Sequence, residues 1–149
     1  MADIFTKRKR SEVMSRIRSQ GNVTTERALA SAFREAGIGG WRRQLRVQGR
    51  LADGTAFSLR PDFVFRPARI AVFVDGCFWH GCPEHGGRPA GNRKFWQQKF
   101  RRNRTRDRRD TRRLKSAGWR VLRLWEHELR AKARPALLRK LRRHLPTKI

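Results

Sequence analysis

The chain has 149 residues and a formal net charge of +26, because 38 lysine and arginine residues face only 12 aspartate and glutamate residues. This length fits one compact domain. The charge favours a polyanionic partner, with nucleic acid foremost, over a small neutral substrate. Hydrophobic residues make up 38% of the chain, which suffices for one modest core and excludes a purely disordered basic tail.

The sequence carries no signal for a membrane or for secretion. No apolar stretch approaches the roughly 18 residues of a membrane span, and residues 1–20 lack an apolar signal region. We therefore expect a cytoplasmic protein without membrane contact. Two cysteines cannot form a disulfide framework, so in a reducing compartment they suit a metal site or simple burial.

Hydrophobic periodicity predicts the elements in chain order. We expect residues 1–22 to form a basic N-terminal arm and residues 23–149 a single domain. Within it, a helix from Thr25 to Ala36 is followed by an irregular strand with loops over residues 38–56. The apolar runs 63–65 and 70–74 are typical of paired, buried strands.

The second half of the chain alternates helical and strand patterns. Residues 93–116 predict a helix that Gly118 ends, residues 119–125 a buried strand, and Pro135 the start of a last helix. This order of helix, strands, helix, strand and helix predicts an α/β sandwich around a mixed sheet.

Three acids stand where a strongly basic chain would not hold them without a reason. Asp62 precedes one apolar run and Asp75 ends the next, so paired strands bring them to one sheet edge. Carboxylate oxygens in that arrangement suit Mg²⁺, although ordinary pairing with nearby arginines is the simpler interpretation. Glu26 lies on the apolar stripe of the first helix, where it either caps that helix or reaches into a site.

A second set of chemically active residues lies between residues 77 and 85. Cys77, Cys82 and His85 offer three zinc ligands within nine residues, and His127 is the best distant fourth because it follows a buried strand. His80 competes as a ligand in the same loop, so spacing alone does not decide which histidine binds metal. Two buried thiols beside a polar histidine is the alternative.

Aromatic and basic residues predict the nucleic-acid contacts. Phe78 and Trp79 are candidates for stacking on bases, while periodicity places Trp96 in the core. The helix that contains Trp96 carries eleven basic residues between positions 93 and 113 and only two acidic ones, Asp107 and Asp110. This excess of positive charge favours a surface that binds the phosphates of a nucleic acid. Its eleven basic residues are Arg93, Lys94, Lys99, Arg101, Arg102, Arg104, Arg106, Arg108, Arg109, Arg112 and Arg113.

These motifs resemble the very short patch repair endonuclease family over roughly residues 10–129. The residues that carry the resemblance are Arg10, Ser11, Met14, Ser15 and Ile17, Thr25-Glu26, Pro61-Asp62-Phe63-Val64-Phe65, the run from Val72 to His85, Phe95-Trp96, Lys99, Asn103, Arg106-Asp107, Gly118-Trp119-x-Val121-Leu122 and Trp125-Glu126-His127. The run Val74 to His85 is long and chemically unusual, which makes it the most specific part of the resemblance. The resemblance implies a restriction-endonuclease-like fold and Mg²⁺-dependent nicking 5′ to the mispaired thymine of T:G mismatches in double-stranded DNA.

Roles for individual residues follow from the same resemblance. Asp62 and the backbone carbonyl of Val74 correspond to Mg²⁺ ligands, Glu26 to a support through water, and Asp75 to a position of uncertain role. His80 corresponds to the general base, since an imidazole can move protons near neutral pH. Phe78, Trp79 and Trp96 match an aromatic wedge. Arg93, Lys94, Lys99, Asn103 and Arg106 complete the expected DNA contacts, and the structural zinc ligands are Cys77, Cys82, His85 and His127.

One departure from the family concerns the approach to Asp62. The family reaches this aspartate through a Gly- and Pro-rich turn, whereas here residues 53–60 contain no such turn. The early strand can therefore differ, which affects mismatch preference more than cleavage chemistry. We expect a monomer on DNA. Two alternatives stay open: a related nicking endonuclease of different or broader specificity, and a non-enzymatic zinc-containing DNA-binding protein.

Overall fold

A computed structural model describes residues 25–77, 82 and 91–147. Helix α1 spans residues 25–35. It is followed by β1 (Trp41–Arg43), β2 (Val47–Arg50), β3 (Ala56–Leu59), β4 (Phe63–Phe65) and β5 (Ile70–Asp75). Then come α2 (Arg93–Ser116), β6 (Arg120–Trp125), two short 3-10 helices (Glu126–Leu129 and Ala131–Ala133) and α3 (Arg134–His144).

Among the described residues, four strands form a central mixed sheet in the order β1-β4-β5-β6. β1 pairs with β4, and β4 with β5, in antiparallel fashion. β5 and β6 are parallel, because the long helix α2 carries the chain back between them. Their register sets Val74 opposite Leu124 and Asp75 opposite Trp125 at the carboxyl ends of both strands.

Successive strand residues point to opposite faces of the sheet, and each face buries its own apolar cluster. Phe63, Phe65, Ile70, Val72 and Leu124 pack with Leu29 and Phe33 of α1 and with Leu137 and Leu141 of α3. Val64 and Ala71 on the other face pack with Leu114 of α2 and with Val47 and Phe57 of the β2–β3 hairpin. Helices therefore lie on both faces of the sheet.

Several predicted elements are confirmed. The helix over 93–116 matches α2, the two apolar runs form the antiparallel pair β4–β5, and Pro135 lies in the first turn of α3. The first helix ends at residue 35, just before Gly37, whose φ of +74° is a left-handed conformation that glycine adopts readily.

The single irregular strand predicted over residues 38–56 is wrong. The segment holds β1, which joins the central sheet, and β2, which pairs with β3 in a separate two-stranded sheet. These strands are only three or four residues long, and Gly49 within β2 resembles a loop residue, so their alternation is too short to read from the sequence. The predicted arm over residues 1–22 lies outside the described residues.

Candidate active site and metal centre

Asp62 stands immediately before β4, at the edge of the sheet where β5 ends. Its carboxylate oxygen Oδ2 accepts a hydrogen bond from the backbone N–H of Val74 at 2.8 Å. The antiparallel pairing of β4 with β5 creates this contact, because it places the residue before Phe63 beside the end of β5. The predicted convergence of the two strand-end acids on one sheet edge is therefore confirmed.

The carboxyl group of Asp62 is unusually easy to protonate. Burial raises its pKa to about 6, although the hydrogen bond from Val74 opposes this shift. The negative charges of Glu26 and Asp75 raise the pKa further, while Arg123 lowers it. An aspartate held at such a site gains from a nearby cation, since a positive charge stabilises its ionised form.

Glu26 reaches from the first turn of α1 towards this edge of the sheet. Its side chain is buried, with 6% of the residue exposed. It accepts a hydrogen bond from Arg43 Nη2 at 2.9 Å and another from the side-chain amide of Gln44. The carboxylate of Glu26 therefore bonds side chains outside its own helix.

Gln44 ties Glu26 to Asp62 and was not anticipated from the sequence. Its side chain donates to Glu26, while its backbone N–H donates to the carbonyl oxygen of Asp62 at 3.2 Å. The residue adopts a left-handed backbone conformation with φ of +52°. No motif marks Gln44 in this arginine-rich stretch, so only its contacts in the structure reveal this role.

Asp75 forms an ion pair that the sequence left as one of two possibilities. Its Oδ1 atom lies 2.8 Å from Nη1 of Arg123, in the middle of β6. Both side chains are largely buried. Asp62 and Asp75 thus differ in their surroundings: an arginine pairs directly with Asp75, whereas a backbone N–H contacts the carboxylate of Asp62.

A second group of polar residues brings two cysteines and a histidine together. Nδ1 of His127 lies 3.3 Å from Sγ of Cys77 and 3.6 Å from Sγ of Cys82. All three ligand atoms lie within 4.8 Å of one another. Both cysteines are buried and free, and burial raises the pKa of the Cys77 thiol. The predicted convergence of these three residues is confirmed.

The local structure holds these ligands from two directions. Cys77 follows β5. The backbone N–H of Cys82 donates to the carbonyl oxygen of Cys77 at 2.9 Å, which links the two cysteines directly. His127 lies in the 3-10 helix that follows the parallel neighbour β6, and its ring stacks on Trp125. Two thiols and an imidazole form a donor set that fits a soft or borderline metal ion.

Helix α2 presents the predicted basic surface. Of its eleven basic side chains between residues 93 and 113, nine are exposed, and only Lys99 and Arg113 are half-buried. One flank forms an open groove of about 390 Å³. Its lining residues are Gln97, Phe100, Arg101, Arg104, Thr105 and Arg108.

Two residues expected to contact DNA are buried on this helix. Trp96 is 7% exposed and packs against the rings of Phe95 and Phe100, and Asn103 is 8% exposed. Phe95 is the aromatic residue that faces solvent, with 48% of its surface exposed. Periodicity had placed Trp96 in the core, and its observed burial agrees with that interpretation.

The other expected site residues lie outside the described part of the chain. These are the wedge residues Phe78 and Trp79, the general base His80 and the zinc ligand His85. All four fall, in sequence, between the end of β5 and the start of α2.

Comparison with known proteins decides the family. The model of the family described as DNA mismatch endonuclease Vsr matches residues 2–84. The chain is also 38% identical to the DNA mismatch endonuclease Vsr of Escherichia coli (strain K12), over 89% of this chain and 78% of that protein. The chain belongs to the Vsr family.

Other members that resemble this chain carry a different description. The type II nicking enzyme V.NaeI of Lentzea aerocolonigenes is 46% identical over 80% of this chain and 68% of its own length. The type II nicking enzyme V.NmeDIP of Neisseria meningitidis serogroup C is 40% identical over 85% and 80%. The Vsr resemblance found in the motifs is thus confirmed.

In the part of the chain that the structure describes, no helix is long and apolar enough to cross a membrane.

Proposed function

We propose that this Vsr family protein is a Mg²⁺-dependent DNA endonuclease that nicks one strand 5′ to the mispaired thymine of a T:G mismatch. The observation that carries the proposal is the acidic sheet edge, where the half-buried Asp62 lies near the negative charges of Glu26 and Asp75 in a chain of net charge +26. A surface that only binds phosphates needs no acidic residues. Hydrolysis of a phosphodiester with the help of a divalent cation needs carboxylates that hold the cation.

The oxygen atoms at this edge fit a hard cation. Asp62 would supply a carboxylate ligand and Val74 a backbone carbonyl, with Glu26 supporting the site through water. When bound, Mg²⁺ would stabilise negative charge on the scissile phosphate and favour ionisation of the attacking water. The raised pKa of Asp62 supports this assignment, because a cation relieves the cost of its buried charge.

The remaining roles in this reaction fall to the loop after β5. His80 would accept the proton of the attacking water, and Asp75 would complete the acidic edge. Phe78, Trp79 and Trp96 would separate the bases beside the mismatch. Because Trp96 is buried in the DNA-free protein, it must leave its packing between Phe95 and Phe100 to reach a base.

The Cys/His group would hold a structural zinc ion. Cys77, Cys82 and His127 provide three ligands, and His85 would provide the fourth. With four protein ligands the site would be closed to substrate, so zinc would fix the loop that carries His80. This loop joins the end of β5 to α2, and the 3-10 helix after β6 bears His127.

Double-stranded DNA would lie along α2. The exposed residues Arg93, Lys94 and Arg106 and the half-buried Lys99 would contact phosphates, with Asn103 nearby. We interpret residues 23–149 as one endonuclease domain of the restriction-endonuclease-like three-layer sandwich type. Residues 1–22 would form its basic arm. The protein would act as a monomer and would be located at the bacterial nucleoid.

A second candidate is a nicking enzyme of different or broader specificity. Two relatives at 46% and 40% identity are named type II nicking enzymes rather than mismatch endonucleases. The approach to Asp62 through the β2–β3 hairpin also departs from the expected glycine- and proline-rich turn. Both candidates share the same cleavage chemistry and differ in the duplex that is cut.

A nicking assay on end-labelled duplexes tests the proposal. We expect Mg²⁺-dependent nicking of the T:G duplex at a single position, and at least a thousandfold loss in Asp62→Asn with DNA binding retained. Asp53→Asn is the matched control, because Asp53 is an exposed turn residue that bonds only Thr55 among the described residues. Equal nicking by Asp62→Asn would overturn the assignment, and preference for another duplex would favour the second candidate.

A further inference from the structure

Arg123 occupies an unusual position in the central sheet. It lies in the middle of β6, yet only 22% of its side chain is exposed. The guanidinium group lies 4.3 Å from the ring centre of Phe73 on the neighbouring strand β5. One end of the group, Nη1, donates to Oδ1 of Asp75 at 2.8 Å.

The other nitrogens of Arg123 reach helix α2. Nε donates to the hydroxyl oxygen of Thr111 at 2.8 Å, and Nη2 donates to the backbone carbonyl of Asp107 at 3.2 Å. The carboxylate of Asp107 also lies 3.9 Å from Nη1. One planar group thus bonds both the acidic sheet edge and the middle of the basic helix.

The geometry points to Arg123 as a positioning residue that holds Asp75 and α2 in a fixed relation. This inference rests on the proposed function, in which α2 binds the DNA backbone and the acidic edge cuts it. The distance between a phosphate bound on α2 and the Asp62 carboxylate then depends on this side chain as well as on the apolar packing of Leu114 against the sheet. An error of about 1 Å in such a relation can cost a hundredfold in rate.

The shape of the side chain matters as much as its charge. A guanidinium carries donors in a rigid fork, so it can bond Asp75, Thr111 and the Asp107 carbonyl at once. A lysine ammonium at the same position keeps the charge and can pair with Asp75. It cannot reproduce all three directions, which makes Arg123→Lys the variant that separates charge from geometry.

The decisive experiment measures single-turnover nicking and, separately, DNA affinity in Ca²⁺. We expect Arg123→Leu to lower the nicking rate about a hundredfold while DNA affinity changes less than about threefold. Arg123→Lys should recover part of the rate. Arg120→Leu, on the exposed end of the same strand, is the matched control and should nick at the normal rate.

Two further variants keep the test meaningful if Arg123→Leu folds poorly. Thr111→Val removes one of the two hydrogen bonds from Arg123 to α2, and we expect it to lower the rate about three- to tenfold. Asp75→Asn combined with Arg123→Leu removes the unpaired charge and should restore folding without restoring the rate. A normal rate in Thr111→Val, or full recovery in Arg123→Lys, would overturn the positioning role.

Hydrogen exchange of the DNA-free protein provides a readout that does not depend on nicking. We expect Thr111→Val and Arg123→Lys to speed exchange of the backbone amides around residues 107–113, because α2 loses an anchor on β6. Unchanged exchange would contradict the link. If the unmodified protein nicks no duplex, the proposed function fails, while the exchange result still decides whether Arg123 anchors the helix.

Discussion

The two candidate metal centres lie next to each other along the chain and differ in chemistry. The acidic sheet edge uses carboxylate oxygens, and its aspartate at position 62 has a pKa raised to about 6. The Cys/His group begins two residues after β5 and brings two buried thiols to an imidazole. One edge of the central sheet therefore brings together a group of oxygen donors and a separate group of sulfur and nitrogen donors.

The donor atoms of the two centres suit different roles, catalysis at the acidic edge and stabilisation of the fold at the Cys/His group. Oxygen ligands that include a backbone carbonyl and water leave positions open for a phosphate, as hydrolysis requires. A set of thiolates and imidazoles closes around its metal and contributes to folding. We therefore expect changes in the Cys/His group to alter stability first, and changes at the acidic edge to alter activity first.

The largest effect on stability should come from His127→Ala. Structural zinc binding contributes roughly 10–16 kcal/mol in small zinc domains, so loss of one ligand should cost more than about 4 kcal/mol here. We expect the variant to contain no zinc by metal analysis and to unfold at a much lower temperature. His144→Ala, an exposed histidine on α3, should change neither quantity.

Metal analysis of two more variants assigns the remaining ligand. We expect His85→Ala to lose zinc, whereas His80→Ala should keep one zinc ion per chain and nick slowly. The opposite pattern would make His80 the ligand and remove it from the proposed proton transfer. Full zinc content in His127→Ala would show that the three converging side chains do not bind zinc.

Asp62 should impose the next largest effect, this time on stability as a function of pH. Its pKa is raised from 3.8 to about 6, so the folded protein binds this proton more tightly than the unfolded chain does. Stability from this group is therefore present below about pH 4 and lost as the pH rises through about 6. The full loss is on the order of 3 kcal/mol.

Asp62→Asn should remove this penalty, because the amide stays neutral. In the absence of divalent ions, we expect the variant to be about 3 kcal/mol more stable than the unmodified protein at pH 8, with the difference shrinking towards pH 4.5. Denaturant unfolding at several pH values measures this. Asp53→Asn serves as the control. A stability difference that stays constant with pH would contradict the raised pKa.

The acidic edge was predicted from the sequence because it depends on local patterns. Two apolar runs, each bounded by an acid, suffice to place Asp62 and Asp75 at neighbouring strand ends. The same logic places His127 at the Cys/His group, because it follows the strand that runs parallel to β5. Element order and strand pairing are therefore enough to assemble the parts of both centres that the structure describes.

The residues that connect these parts were not predictable. Gln44 and Arg123 act through contacts to elements far along the chain, and neither belongs to a motif. The β2–β3 hairpin was missed for another reason. The ring of Phe57 lies 2.7 Å from where a Cβ at position 49 would be, so Gly49 marks close packing between strands and not the loop that its residue type indicates.

The smallest expected effect concerns DNA binding by the groove on α2. Arg101, Arg104 and Arg108 line it with exposed side chains. Their replacement by glutamine should weaken binding of a matched or mismatched duplex about tenfold at physiological salt. The slope of log Kd against log salt should fall by about 0.9 for each lost phosphate contact.

This loss of DNA affinity should differ from the losses of zinc and of nicking rate that are expected at the two candidate metal centres. Because these side chains contact only phosphates in the proposed complex, affinity should fall equally for T:G and T:A duplexes, with zinc content and the single-turnover rate at saturation unchanged. The matched control replaces three exposed arginines of α3 by glutamine, which removes the same charge from the opposite face of the sheet. Those residues are Arg139, Arg142 and Arg143. An equal loss of salt dependence in the control would mean that net charge, and not the groove on α2, holds the DNA.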